Sequence, residues 1–384
     1  MTTPFSTLAG HTRRPRIGVD LHALDDSGSD ERAHVLSLYR EVVRRAPEYD
    51  FVFLCTEPAR LRAADPAFTL ANVHGVAMPL RSEFARLAWQ LALLRRRHRI
   101  DLLHVQDRMP LLPWGPCAVT VHDTAFEMPS RRFATAFAAL RSAQRAALLL
   151  AVDEASRKEI ARLTSVEPLS IRITGNGVDR GRFRPATGEE DGADLVRALG
   201  AVPGHYLLAV AHADARNDAL DLLRAFALLA APRPSLVIVG ERDAAHETAL
   251  AEVQRLGLAG EVVFLDRAGD DQWPALVRHA GVLVHVPRAA AVGRAVLEAM
   301  ASGVPAVVSH APAFVELAAG AALTVDPGDP QAIAGAIARL LADASLRARL
   351  VARGADVAAR RGWDTSAKAL LAGFRRFFAG LSNA

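Results

Sequence analysis

The stretch AVGRAVLEAMASGVPAVVS, residues 291–309, decides the fold. Gly293 precedes an amphipathic helix pattern in which Leu297 and Met300 would pack against a sheet. Gly303 is typical of a helix stop, and a short valine-rich run follows it. Backbone N–H groups at a helix start that follows a glycine can face an anion. The pattern therefore predicts either a phosphate-binding helix start or an ordinary helix-to-strand connection of a doubly wound domain.

Short apolar runs rich in valine, isoleucine and leucine recur on both sides of this stretch, with helical patterns between them. In the first half they are IGVDL from Ile17, FVFL from Phe51, DLLHV from Asp101, AVTVHD from Ala118, LLLAV from Leu148 and SIRIT from Ser170. In the second half they are YLLAVA from Tyr206, SLVIVG from Ser235, VVFL from Val262, GVLVHV from Gly281, PAVVS from Pro305 and ALTV from Ala322. This alternation predicts parallel strands joined by crossover helices.

The length of 384 residues exceeds what one hydrophobic core usually supports, so we expect two domains. The predicted fold class is α/β, with two facing Rossmann-like domains and an interdomain cleft at the carboxyl ends of the strands. The predicted segments are a flexible N-terminus (1–15), a first domain (16–179), a polar linker with one short helix (180–204), a second domain (205–362) and a C-terminal helix (363–384). Trp363 and apolar residues after it need a surface to cover, so we expect that helix to return to the first domain.

Composition excludes several classes of protein. The net charge is +4, and neither a nucleic-acid-binding motif nor an aromatic array accompanies it. No stretch has the apolar character of a signal peptide or a membrane span. Cys55 and Cys117 lie in apolar strand contexts, typical of buried thiols in a reducing cytoplasm. There is no Asp-any-Asp triple, no Gly-Lys dipeptide and no dinucleotide fingerprint. We therefore expect a cytoplasmic protein with no metal, cofactor or nucleic acid.

The stretch 291–309 resembles the signature of the retaining glycosyltransferase family four, in which a similar helix grips the diphosphate and ribose of a nucleotide-sugar donor. Other segments resemble the family in the same order, among them TVHDTAFEMPSRRF from Thr120, GNGVDRGRFRP from Gly175, LVIVGERD from Leu236 and RGWDTSAKALL from Arg361. The resemblance spans nearly the whole chain. It implies a GT-B fold with the nucleotide sugar on the second domain and a hydroxyl acceptor on the first.

The resemblance also implies roles for individual residues, with His122 and Glu298 as the candidate catalytic pair. Glu298 matches a glutamate that clamps the ribose hydroxyls, and we expect its carboxylate to be exposed to a ligand-sized space. Gly293 matches the glycine whose neighbouring amides approach the phosphates, and Gly240 belongs to the donor-binding candidates. His122 matches a histidine near the donor sugar. The alternative interpretation is a strand-end histidine bonded to Asp123 or a loop.

Several donor-site residues of the family are replaced. His212 and Asn217 stand where the family usually has diphosphate-binding cations, and Ala290 stands for the earlier of two glutamates. Since arginine can bind phosphate bidentately, we expect Arg216 or Arg294 to supply the missing charge beside His212.

One further residue and one segment also differ from the family pattern or have two interpretations. Arg288 is a third candidate cation, although a solvated surface position is the simpler interpretation. The segment DDSGSDERAH, residues 25–34, replaces a glycine-rich turn of the family.

Three functional hypotheses remain. The first is transfer of a sugar from a nucleoside-diphosphate sugar to a hydroxyl of a polysaccharide, lipid or other glycoconjugate, with retention and without a metal. The replaced cations motivate the second, a non-catalytic partner or scaffold that associates with another glycosyltransferase. The third, a nucleotide-sugar epimerase of similar shape, agrees less well with the helix signature.

Two segments have the composition of interfacial helices, namely FARLAWQLALLRRRHR from Phe84 and FRRFF from Phe374. They are compatible with peripheral contact at the inner face of a membrane. The simpler interpretation is a domain helix with a charged end and a C-terminal helix docked on the first domain.

Overall fold

The computed structural model describes residues 13–25, 30–80, 82–112, 114–122, 133–188, 191–210, 216–240, 244–266, 268–269, 271–288 and 293–382. The chain forms two compact domains. The first comprises Met1–Gly175 together with Trp363–Ala384, and the second comprises Asn176–Gly362.

The strands follow the apolar runs of the sequence. They are β1 (Arg16–Asp20), β2 (Asp50–Cys55), β3 (Val73–Ala77), β4 (Leu102–Gln106), β5 (Cys117–Val121), β6 (Leu148–Ala151), β7 (Arg172–Ile173), β8 (Tyr206–Val210), β9 (Ser235–Val239), β10 (Val262–Leu265), β11 (Val282–His285), β12 (Ala306–Ser309) and β13 (Leu323–Val325). Each of the twelve predicted runs overlaps one of these strands.

Helices connect the strands. They are α1 (Asp30–Arg45), α2 (Pro58–Ala64), α3 (Glu83–Ala85), α4 (Leu91–Arg97), α5 (Phe133–Arg145), α6 (Glu154–Thr164), α7 (Ala193–Ala198), α8 (Arg216–Ala227), α9 (Ala244–Arg255), α10 (Gln272–Arg278), α11 (Arg294–Ala301), α12 (Pro312–Ala318), α13 (Pro330–Ala342), α14 (Ala344–Arg360) and α15 (Trp363–Ser382). A π-helical turn, Arg86–Gln90, joins α3 to α4.

Each domain is built on one parallel sheet. Within the described residues, the first sheet has seven strands in the order β3-β2-β1-β4-β5-β6-β7, and the second has six in the order β10-β9-β8-β11-β12-β13. All of the strand pairs are parallel. The predicted class of two Rossmann-like α/β domains is confirmed. The strand order of each sheet reverses between two central strands, β1 and β4 in the first sheet and β8 and β11 in the second. Ligands of such folds bind at the carboxyl ends of the strands beside this switch point.

The C-terminal helix α15 belongs to the first domain. Its buried side chains Trp363, Leu370 and Phe374 share a core cluster with Tyr39 of α1 and Tyr49 before β2. Burying this apolar stripe against α1 removes it from water, which fixes the helix although it is remote in sequence.

The segment 180–204 differs from its prediction as a linker. Phe183, Val196 and Ala201 are buried in the core of the second domain. Arg278 of α10 donates a 2.9 Å hydrogen bond to the carbonyl of Arg182. The segment is therefore part of the second domain, because apolar positions spaced among its polar residues are enough to anchor it.

Two other features of the chain bear on its class. Cys55 and Cys117 are both buried, and burial raises the pKa of Cys117 to about 11. Within the described ranges, no helix is long and apolar enough to cross a bilayer.

Candidate functional site

The start of α11 holds the glycine predicted to approach a phosphate. Gly293 is the N-cap residue and has no side chain that could cap the helix. A Cβ at this position would overlap Cδ2 of Leu317 and lie 3.3 Å from Cε1 of Phe314. Packing against α12 therefore requires a glycine here. First-turn N–H groups of a helix that begins after a glycine can bind an anion.

Glu298 corrects the expectation of an exposed carboxylate. Its residue is only 3% exposed. Oε1 accepts a 3.0 Å hydrogen bond from Nη1 of Arg294, and Oε2 accepts a 2.7 Å hydrogen bond from Nε1 of Trp273. The reason is helical spacing: Arg294 lies four residues before Glu298 and thus on the same face, where Trp273 of α10 covers them. Each oxygen accepts a hydrogen bond within the domain, so the prediction of an exposed carboxylate is wrong.

Arg294 remains a candidate for phosphate contact. It opens α11, its side chain is 25% exposed, and its guanidinium is ion-paired to Glu298. The pair fixes the direction of a planar group that carries five N–H donors. Glu298 therefore orients an arginine at the start of the helix.

The structure gives fewer contacts for the other residues that were predicted to bind the donor. Gly240 follows β9 and donates its amide to the carbonyl of Leu265 at 3.0 Å, so its backbone extends the sheet. Arg216 opens α8, but its side chain lies outside the described residues, as do His212 and Ala290. Asn217 is described only as part of the same helix.

Arg288 is paired within the second domain. It donates from Nη2 to Oδ2 of Asp221, and its backbone N–H donates to Oδ2 of Asp218 at 3.2 Å. The hydrogen bond with Asp221 raises the pKa of Arg288. Among the described residues, two carboxylates balance its charge, compared with one for Arg294, so Arg288 is the weaker candidate for contact with a diphosphate.

His122 lies directly after β5, at the edge where the carboxyl ends of the first sheet meet. Its backbone N–H donates to Oδ1 of Asp107 at 2.9 Å, and its Nε2 lies 2.7 Å from Oε1 of Gln106. Gln106 ends β4 and is buried. The predicted alternative partner, Asp123, lies outside the described residues. Residues at the carboxyl end of the adjacent strand β4 thus fix the position of His122 by hydrogen bonds.

A buried ion pair lies at the carboxyl end of β1, in the same sheet. Asp20 is fully buried and accepts a hydrogen bond from Nη1 of Arg86, which is itself buried in the π-helical turn. Nδ1 of His22 lies 3.4 Å from Oδ1 of Asp20. Burial by itself would raise the pKa of Asp20, but the His22 hydrogen bond and the Arg86 charge outweigh it and lower that pKa. Asp20 is therefore ionised at neutral pH.

Glu31 extends this group of charges toward solvent. Its Oε1 lies 3.6 Å from Nε2 of His22, and its side chain is 26% exposed. Burial, helped by the negative charges of Asp107 and Asp20, raises the pKa of Glu31 to about 7. A carboxyl group with this pKa can donate or accept a proton at neutral pH. The two carboxylates and His22 form an acid–base cluster in the first domain.

Sequence reasoning missed most of this cluster. Asp20 ends the first apolar run, and its position at a strand end is the one signal that could have drawn attention to it. Arg86 lies inside an apolar helical pattern and Gln106 inside a strand pattern. Only the pairing of β4 with β5 brings Gln106 to His122. Within the residues that the structure describes, no group of three or more His, Cys, Asp or Glu side chains is arranged to hold a metal ion.

Comparison with known families gives two matches along the chain. Residues 32–182 match the model described as Glycosyltransferase Family 4, and residues 198–357 match the model described as Glycosyl transferases group 1. Together the two matches include well over half of the sequence. The second match contains Gly293, Arg294 and Glu298, and the first contains His122.

Individual relatives agree with these models. The O-antigen chain mannosyltransferase B of Escherichia coli is 30% identical over 222 residues, covering 57% of this chain and 58% of the relative. The D-inositol 3-phosphate glycosyltransferase of Acidothermus cellulolyticus is 30% identical over 231 residues, covering 57% of this chain and 50% of the relative. The chain thus matches 50–58% of the length of these relatives.

Among solved structures, Anabaena HepE in complex with UDP-glucose superposes with a TM-score of 0.74 at 17% identity. The match covers 96% of this chain and 100% of that protein. At this identity the likeness concerns the fold.

Proposed function

Since the chain belongs to the glycosyltransferases that the family 4 and group 1 models describe, we propose that it transfers a sugar from a nucleoside-diphosphate sugar to a hydroxyl acceptor. The acceptor class is a hydroxyl of a polysaccharide, lipid or other glycoconjugate. The relatives support the class and no single substrate, because one is named for an O-antigen chain and the other for D-inositol 3-phosphate.

The start of α11 carries the proposal. Gly293 precedes a helix whose N-cap residue carries no capping side chain, and the partly exposed guanidinium of Arg294 is oriented there by Glu298. A helix N-terminus and an arginine are both favourable partners of a diphosphate. HepE, which shares the fold, was solved with UDP-glucose, and this supports a donor of the same chemical class.

The reaction that we propose is retaining and independent of a metal. Retention follows from the resemblance to family four. The sequence lacks the Asp-any-Asp triple by which many sugar transferases hold a metal. Negative charge that develops on the leaving diphosphate would be stabilised by the first-turn N–H groups of α11 and by Arg294. His122 would contact substrate in the first domain, where Glu31 can exchange a proton with an acceptor hydroxyl.

Binding of nucleoside diphosphates tests the proposal directly. Titration calorimetry of the wild type with UDP, GDP and ADP should detect at least one ligand. The double variant Arg216→Ala/Arg294→Ala should bind that ligand about 10²- to 10⁴-fold more weakly, because each charge-assisted hydrogen bond contributes about 1.5–3 kcal/mol. Arg62→Ala, at an exposed arginine of α2, is the matched control and should bind as the wild type does.

Two outcomes would contradict the proposal. If the wild type binds none of the diphosphates even at millimolar concentration, the chain is a non-catalytic relative that acts as a partner subunit. If the double variant binds as tightly as the wild type, the start of α11 is not the diphosphate site.

A further inference from the structure

The exposed aromatic side chains of the molecule are gathered on one part of the first domain. Among the described residues, every exposed phenylalanine or tryptophan lies between positions 84 and 137. They are accompanied by exposed leucines of the same segments. We call this set the aromatic surface, and its members are Phe84, Trp89, Leu93, Leu111, Leu112, Trp114 and Phe137. Solvent-exposed apolar side chains in such a concentration mark an interaction site.

Hydrogen bonds join the three segments that carry the aromatic surface. The backbone N–H of Leu111 donates to the carbonyl of Leu87 in the π-helical turn at 2.9 Å. The backbone N–H of Met109 donates to Oγ of Ser142 in α5, also at 2.9 Å. The rings of Phe84 and Trp89 are in edge-to-face contact, with centroids 5.9 Å apart. The helical segment, the loop after β4 and α5 therefore lie next to one another.

The helix that carries Trp89 and Leu93 ends in positive charge. Arg96 and Arg97 follow Leu93 by three and four residues, so they lie on its face of the helix, and both are exposed. Arg141 on α5 lies over the ring of Phe137 at 6.0 Å. Within the described part of the chain, none of these three arginines is found in an ion pair. The carboxylate of Glu83 is engaged by Arg108.

We propose that the aromatic surface docks on an anionic lipid membrane. Aromatic rings and leucines would enter the boundary between headgroups and acyl chains, where tryptophan is favoured, and the arginines would meet the negative headgroups. Charge argues against a second copy as occupant. A two-fold interface would bring the same patch against itself and concentrate these arginines without acidic partners. The proposal goes beyond sugar transfer, because it concerns where the first domain is held.

Vesicle flotation tests the proposal in the absence of any sugar donor, so its result is independent of transfer activity. Wild-type protein should float with vesicles that contain about 30 mol% phosphatidylglycerol, and it should float at least about tenfold less with phosphatidylcholine alone. Raising salt to about 0.5 M should weaken the binding, since it screens the arginines.

Matched variants separate the aromatic surface from general stickiness. Trp89→Ser/Leu93→Ser should lower the partition coefficient at least about tenfold, and Arg96→Glu/Arg97→Glu should abolish the preference for phosphatidylglycerol. The controls Leu169→Ser/Leu228→Ser and Arg62→Glu/Arg180→Glu replace exposed apolar or basic side chains elsewhere and should bind as the wild type does. Circular dichroism melts verify that each variant is folded.

Tryptophan fluorescence gives a second measurement. Brominated lipids should quench Trp89 and Trp114, and the quenching should disappear in Trp89→Phe/Trp114→Phe, which retains the buried Trp363 and the half-buried Trp273. The proposal is overturned if the wild type does not bind anionic vesicles, or if Trp89→Ser/Leu93→Ser binds them normally. Self-association of the wild type that this variant abolishes, without vesicle binding, would assign the surface to a second copy.

Discussion

The two sheets present different chemistry at their carboxyl ends. In the first domain, side chains supply it: Asp20, Arg86, His22 and Glu31 form a buried-to-exposed series of charges beside β1. In the second domain, the start of α11 offers backbone N–H groups and one arginine held by Glu298. Buried charges must be paired because desolvation is costly, whereas backbone dipoles are in place once the helix folds. The stability of the first domain is therefore sensitive to pH and to the removal of a charge. The start of α11 in the second domain is sensitive to steric changes.

Removing Arg86 should have the largest effect. Arg86→Leu leaves the fully buried Asp20 without its main positive partner, so we expect the first domain to lose about 3–5 kcal/mol of stability. Urea unfolding followed by circular dichroism measures this loss. Lys368→Leu is the matched control, because its pair with Asp364 is exposed and contributes about 1 kcal/mol or less. Equal effects of the two variants would show that burial does not distinguish the pairs.

Glu31 makes the stability of the first domain dependent on pH. Its pKa is about 7 in the folded chain against a usual 4.5, so the folded state binds the proton more tightly than the unfolded state. Stability therefore falls as pH rises from about 4.5 to 7, and the whole cost is present above 7. Glu31→Gln should stabilise the protein by about 1–3 kcal/mol at pH 8 and by close to nothing at pH 4.

Thermal or urea unfolding of both proteins across this pH range measures the difference. Using the difference between Glu31→Gln and the wild type cancels the titration of groups that both proteins share, although His22 is coupled to Glu31. A constant difference at all pH values would contradict the raised pKa.

Close packing around Gly293 determines which residues fit at the start of α11. Gly293→Ala would place a Cβ against Leu317, so we expect a loss of about 1–3 kcal/mol by overpacking and a weaker grip on any diphosphate at the start of α11. Gly335→Ala is the matched control: it lies inside α13, nothing lies within 4 Å of its added Cβ, and it should stabilise by about 0.5–1 kcal/mol. Calorimetric melts compare the two, and a neutral Gly293→Ala would contradict the close packing.

Much of the architecture could be read from the residues alone. Twelve apolar runs identified strands because parallel strands are buried on both faces and read as continuous apolar sequence. The strand β3, VHGVA, was missed. It is an edge strand whose residues are exposed or half-buried, so no apolar run marks it.

Only part of the candidate site could be predicted from the sequence. His122 was found through motif resemblance and Arg294 as a substitute cation near the start of the helix, and their roles stay predictions. The exposure of Glu298 was predicted wrongly, because the sequence does not show that Trp273 of a separate helix donates a hydrogen bond to it.

The sequence by itself determined the alternation of strands and helices, the glycine at the start of α11 and the apolar stripe of α15, since each depends on local spacing and residue type. Only the tertiary structure decided which polar groups meet. Asp20 pairs with Arg86, 66 residues away, and Gln106 with His122 on the neighbouring strand. Such pairings are set by strand order and by where each crossover helix returns, and they fix the pKa of Glu31 by burial among charges that are distant in the chain.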